Sequence, residues 1–234
     1  MTEDTTPQTE PAAEEAAPTH ADTPEIEGDE AAAEEGSAPE VTPEEAIAIY
    51  TAALEVNPED ALAYFNRGNA YYNAEQFEAA IDDYRQAAKI DPSMAEAHSQ
   101  RGYALFGLGN HKAALDAFTM YSKQVPDDPV GYNNQAFLYL VQGRTSRAES
   151  AWTKATASEN APDYAYAGHA LALYRLKKRR AAAEQYAKAI ELNPLWREDV
   201  AAAAEQVSWS EQMVEEAHAI LRLLDAEQTD RAES

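Results

Sequence analysis

AYFNRGNAYYNAEQFEAAIDDYRQAAKIDP, residues 63–92, decides how the rest of the chain is read. Its pattern returns with a period of 34 residues, and a repeat of that length outranks any other signal in a helix-rich sequence. Gly68, Gly102, Ala136 and Ala170 are one series, and Ala46, Ala80, Ala114, Ala148 and Ala182 another. Tyr50, Tyr84, Phe118, Trp152 and Tyr186 keep the same spacing, as do Tyr64, His98, Tyr132 and Tyr166, and Tyr71, Leu105, Tyr139 and Leu173. Pro58, Pro92, Pro126 and Pro194 punctuate the units, with Asn160 in the slot that departs. The physical reading is a pair of helices per unit. Small residues, one in each helix, let the two approach closely, and the aromatics fill the space between one pair and the next. Each proline ends a second helix, because it has no N–H and disfavours helix in the residue before it. Gly109-Asn110 and Gly143-Arg144 are turn signals inside the pairs.

These series resemble the tetratricopeptide repeat family, whose 34-residue unit combines aromatic, small and proline positions in this order. Four full repeats begin at Ala61, Ala95, Pro129 and Asp163, and residues 42–58 match only a second helix. The resemblance implies an all-α, right-handed solenoid over 42–194, of about eleven helices with its ends. The slot that usually holds Leu carries Arg67, Arg101, Gln135 and His169. Tyr121 stands where a small residue is expected, which predicts looser packing of the second repeat. Residues 195–225 read as a C-terminal capping pair: Val200, Ala204 and Val207 share one face, and Val214, Ala217, Ile220, Leu221 and Leu224 another. Ser208 and Glu211 have capping-box spacing. The lone helix at 43–56 is expected to close the other end, and 226–234 to be a frayed tail.

Charge divides the chain. Of 234 residues, 42 are acidic and 18 basic, for a net charge of -24. Residues 1–42 hold 13 acids and no Lys or Arg. With Ile26 almost its only large apolar residue, the segment 1–41 cannot bury enough surface to offset ordering and is expected to be disordered. It lacks the basic and apolar regions of a signal peptide, and no 18-residue apolar run follows, so a cytoplasmic protein is expected. So negative a chain is repelled by phosphate, and neither nucleic acid nor a membrane is an expected partner. There is no cysteine, hence no disulfide and no thiolate site.

Catalytic signals are missing. His20, His98, His111, His169 and His218 have no metal-ligand spacing, and no phosphate-cradling or nucleophile-elbow motif occurs. Neither a metal nor another cofactor is expected, and the chain is not expected to be an enzyme. Asp82-Asp83 and Asp127-Asp128 read as solvated positions.

Function is therefore sought on the surface. The family's first helices line a concave groove, and the resemblance places Phe65, Asn66, Asn69, Tyr72 and Asn73 of the first repeat in it. Ser99, Tyr103 and Phe106 follow from the second, Asn133, Asn134, Phe137, Leu140 and Val141 from the third, and Ala167, Leu171, Tyr174 and Arg175 from the fourth. Asn66 and Asn134 match a slot where related superhelices bond a peptide's main chain, for which an amide carries both donor and acceptor. Phe65, Glu96 and Val130 leave no cations for a carboxylate clamp; Asn69 alone is compatible with one. An aromatic, amide-lined groove favours an apolar or neutral segment of a partner protein. The expected function is an adaptor or chaperone-like interaction module. Its alternative is a self-assembling scaffold, a homo-oligomer in which a terminal segment docks in the groove of another copy. Arg175, Lys177, Lys178, Arg179 and Arg180 form a basic edge that could take an anion, an acidic partner or the chain's own acidic tail.

Overall fold

The computed structural model describes residues 41–233; the acidic segment expected to be disordered lies, Val41 apart, outside them. Every regular element among the described residues is a helix. Helix α1 spans Pro43–Val56. Four antiparallel pairs follow: α2 Ala61–Asn73 with α3 Phe77–Ile90, and α4 Ala95–Gly107 with α5 His111–Gln124. Then come α6 Pro129–Val141 with α7 Thr145–Ala155, and α8 Asp163–Arg175 with α9 Arg179–Leu192. Each helix packs on the next in order, which makes the chain an α-solenoid, and the first helices start where the repeat phase predicts.

Side chains cap α1, α2, α5 and α6, and a left-handed residue ends the first helix of each pair. Thr42 and Glu45 form a capping box on α1, and Asp60 accepts from the Ala63 N–H at 2.9 Å. Asp128 caps α6 ahead of Pro129. Glu75, Gly109, Gly143 and Lys177, again 34 apart, have φ between 57° and 70°. Each closes a Schellman motif. At Lys177, for example, its N–H donates to the Tyr174 carbonyl at 2.9 Å and the Lys178 N–H to Leu173 at 2.9 Å. Two of the four turns thus use a residue with a Cβ where glycine is favoured.

The small positions work as expected. A Cβ on Gly68 would stand 2.8 Å from the Tyr84 ring, and one on Gly102 2.6 Å from Phe118. The ring lies over its own pair's glycine and reaches the next pair too, since Tyr84 clusters with Ala104. The polar residues in the Leu slot tie each pair to neighbouring second helices. Arg67 donates to both oxygens of buried Asp83 at 2.7 and 2.8 Å and to Thr51 of α1. Gln135 donates to Ser122 of α5 at 2.9 Å, and His169 sits between Thr153 and Thr156 of α7. Asp83 is therefore an ion-pair partner and not a solvated carboxylate. Arg101 breaks the series: burial and the Arg85 charge both depress its pKa, with Asp116 opposing.

Tyr121 does not loosen the second repeat. It is buried, donates to Asp128 at 2.5 Å, and packs where Gly131 of α6 leaves room; a Cβ there would lie 2.9 Å from its ring. The large residue in one slot is matched by the loss of a methyl in the facing one. Helix α7 ends three residues before the repeat phase predicts. Asn160 stands in the proline slot, and beyond the helix the Ser158 hydroxyl donates to the Asp127 carbonyl at 2.9 Å.

The C-terminal cap differs from one helix pair. Its first arm breaks into α10 Leu195–Glu198 and α11 Val200–Glu205, because Asp199 leaves helical geometry and caps α11 through the Ala202 N–H. This raises the count among the described residues to twelve. Ser208 does not start the next helix. At φ 54° it ends α11 in a Schellman motif, with Trp209 N–H donating to Ala204, and α12 begins only at Glu211. Helix α12 runs to Glu233, past 225, and lies across α9 and α8. Trp196 anchors this end: its indole donates to Asp163 at 2.6 Å, and its carbonyl accepts from Tyr186. Helix α1 is a different kind of end. Its Ile49, Ala52, Ala53 and Val56 are exposed, so it does not present the polar outer face of a cap.

Candidate peptide-binding groove

The first helices form the inner row of the stack. Helices α2 and α4 touch, as do α6 and α8, whereas successive second helices do not come as close. Side chains confirm the row between α4 and α6: Asn134 donates to the Tyr103 hydroxyl at 2.7 Å, and Phe106 and Phe137 lie 6.0 Å apart.

Along this row the residues named from sequence fall into three groups. Phe65, Asn66, Tyr72, Tyr103, Asn134 and Phe137 are half-buried, each presenting part of its surface to solvent, and Asn73 is exposed. Their orientation is fixed from below. Phe65 rests on Tyr84 at 5.8 Å, Tyr72 meets Phe77 edge-on at 5.4 Å, and Tyr103 meets Phe118 edge-on at 5.1 Å. Burial and packing at these supports leave the rings few alternatives, which lowers the entropy lost when a partner stacks on them. Burial pushes the Tyr103 hydroxyl up to about 12, the Asn134 bond pulling the other way, so it is neutral at physiological pH.

A second group carries structure. Asn69 accepts from the Tyr84 hydroxyl at 2.8 Å and Asn133 from the Trp152 indole at 2.9 Å, so those amide oxygens hold second helices in place. Phe106 is buried, stacked on His111 at 5.2 Å, and Leu140, Ala167 and Leu171 are buried as well. Ser99 turns back to the Glu96 carbonyl. Val141 is half-buried and packs against the core of the third and fourth repeats.

The third group lies under α12. Tyr174 lines a cleft of about 450 Å³ with Glu215, Glu216, His218, Ala219 and Arg222. Arg175 donates to both oxygens of Glu216, at 2.9 and 3.1 Å. The C-terminal end of the row is thus closed by this chain's own helix. The apolar stripe of α12 was legible in the sequence, but where the helix would lie was not. Of the remaining basic edge, Lys178 pairs with Glu149 at 3.2 Å and Arg180 with Glu184 at 3.1 Å, while Lys177 and Arg179 are exposed.

Among the described residues no three His, Asp or Glu side chains gather as a metal site would need. No helix among them is long and apolar enough to cross a membrane.

Residues 44–75 and 68–109 match a family described as TPR repeat, the tetratricopeptide repeat. Solved structures extend the likeness along the solenoid. MamA is 23% identical with a TM-score of 0.61, over 65% of this chain and 89% of that one. YrrB, described as a TPR protein with an unusual peptide-binding site, is 21% identical with a TM-score of 0.56, over 76% and 97%. TTC0263, a thermophilic TPR protein in Thermus thermophilus, is 18% identical with a TM-score of 0.52, over 70% and 88%. No curated protein matches the chain. Repeat phase, helix pairing and these likenesses together give the solenoid a tetratricopeptide-repeat fold, with the family match itself confined to residues 44–109.

Proposed function

We propose that the protein is a non-catalytic interaction module, adaptor or chaperone-like, that takes an extended neutral or apolar peptide segment along its first helices. One observation carries this reading: a row of half-buried aromatics, Phe65, Tyr72, Tyr103 and Phe137, interleaved with the amides of Asn66 and Asn134. Aromatics held rigidly at half-burial are the side chains that dominate binding energy at interfaces. The amides suit a peptide main chain, and the row carries no cation to select an acidic terminus. A related fold supports the mode, since YrrB is described as having a peptide-binding site. The segment enters over the first three repeats, because α12 occupies the end of the fourth.

The test is a fluorescence-anisotropy screen of extended peptides against the full chain and a Tyr72→Ala/Phe137→Ala double variant. Peptides selected by the wild type should lose roughly 30-fold or more in affinity, the cost of about 2 kcal/mol for a truncated hot spot. Far-ultraviolet circular dichroism should be unchanged. Undiminished binding by the double variant rejects the groove.

A further inference from the structure

Among the described residues the N-terminal end of the solenoid is open. Helix α1 occupies the second-helix position of a repeat, and its slots have counterparts 34 residues on. Ala53 corresponds to Ala87, Tyr121, Ala155 and Ala189, all buried, and Ile49 to Asp83, Ala117 and Ala151, also buried. In the full repeats a first helix covers these positions, as α2 covers Asp83 through Arg67. In α1 these two slots face solvent, with Ile49 57% exposed; Val56, one heptad on and 87% exposed, stands in a slot that Gln124 and Leu192 also leave exposed. With Ala52 and Ala53 between them, Ile49 and Val56 form one apolar stripe. With Val41 and Leu62, four of the seven large exposed hydrophobics among the described residues lie within 41–62.

Acids dominate the described sequence around the stripe: residues 41–66 hold five acids and no Lys or Arg, the first base, Arg67, is already paired with Asp83, and Lys89 shares a cleft with Glu59. That composition argues about the occupant. A second copy would bring the same acidic rim to the same face, and like charges across an interface repel. The preceding residues are no better. In phase with the repeat, 27–39 would put Asp29 in the slot of Ala63, Ala97, Gly131 and Ala165, and Glu34 in that of Gly68, Gly102, Ala136 and Ala170. All eight of those positions are buried, and an unpaired carboxylate there is strongly disfavoured. A helix with an apolar face and a basic rim fits both the stripe and the charge.

We propose that this open end, centred on Ile49, Ala53 and Val56, is a second docking surface whose occupant is a partner's amphipathic helix rimmed with Lys or Arg. It is separate from the peptide row on the first helices and does not depend on it.

The experiment uses the full chain and two synthetic peptides of identical Leu, Ala and Lys composition, one patterned as an amphipathic helix and one scrambled. At physiological salt the amphipathic peptide should bind at least tenfold more tightly. Ile49→Glu, and independently Val56→Glu, should weaken it at least tenfold with unchanged circular dichroism, because both side chains are exposed and their loss costs the fold little. Tyr72→Ala/Phe137→Ala should leave this affinity unchanged. Equal binding of the two peptides, or indifference to both Glu variants, overturns the proposal by reducing it to bulk charge attraction. So does a dimer of the wild type that Ile49→Glu dissolves in sedimentation, which would make a second copy the occupant.

Discussion

Gly168 and Trp152 show how narrow the tolerances are at the level of single residues. A Cβ on Gly168 would stand 2.5 Å from the indole, which is buried and held by its bond to Asn133, so it cannot yield. Gly168→Ala should therefore destabilise by about 1–3 kcal/mol despite the better helix propensity of Ala. Gly107→Ala is the control. Its new methyl would lie 3.1 Å from the edge of half-buried Phe77, which can shift, so its urea midpoint should stay near wild type or rise. His169 gives a pH signature. Burial pushes it down to about 4, helped by Lys178 and Lys188 and opposed by Glu149. The unfolded chain takes up this proton near pH 6.5 and the folded chain only near 4, so stability is full above 6.5 and falls as pH drops toward 4. Between about pH 7.5 and 5 the loss from this residue is about 2 kcal/mol. Urea unfolding of His169→Gln at the two pH values should show a loss smaller by that amount. That these slots are special was legible from their 34-residue phase. That His169 meets threonines while Arg101 meets Arg85 was not, because the partners lie on another helix and only the fold brings them together.

At the level of elements, the starts of α1, α2, α4, α6 and α8 were readable to the residue from the repeat phase, with Thr42, Asp60 and Asp128 capping three of them locally. The ends were less so. The Schellman turns at Glu75 and Lys177 have no glycine to announce them, and the periodicity alone had to locate them. Relieving the left-handed strain should stabilise: Glu75→Gly and Lys177→Gly should each raise the unfolding free energy by about 1 kcal/mol, measured by urea titration. Failure of both would mean that the turn geometry is held at no cost. Ser208 misled the sequence reading for a related reason. A Ser three residues before a Glu marks a helix start in most contexts, but the chain needed a left-handed residue there to turn α11 back toward α12. The break at Asp199 had no periodic signal, since Ala201, Ala202, Ala203 and Ala204 follow it on every face of α11.

For the whole molecule, the solenoid and its inner row followed from the repeat, whereas its two ends did not. The repeat predicts what a middle unit does and is silent about terminal ones, whose faces depend on what covers them. At the C-terminal end α12 covers Tyr174 and Arg175; at the N-terminal end nothing among the described residues covers Ile49. The accessible row therefore spans Phe65 to Phe137. Hydrogen exchange of the full chain with and without a saturating selected peptide tests this most directly. Added protection in α2, α4 and α6, with α3, α5 and α7 unchanged, is the predicted result. Protection centred on the second helices, or displacement of α12 seen as its deprotection, would contradict it.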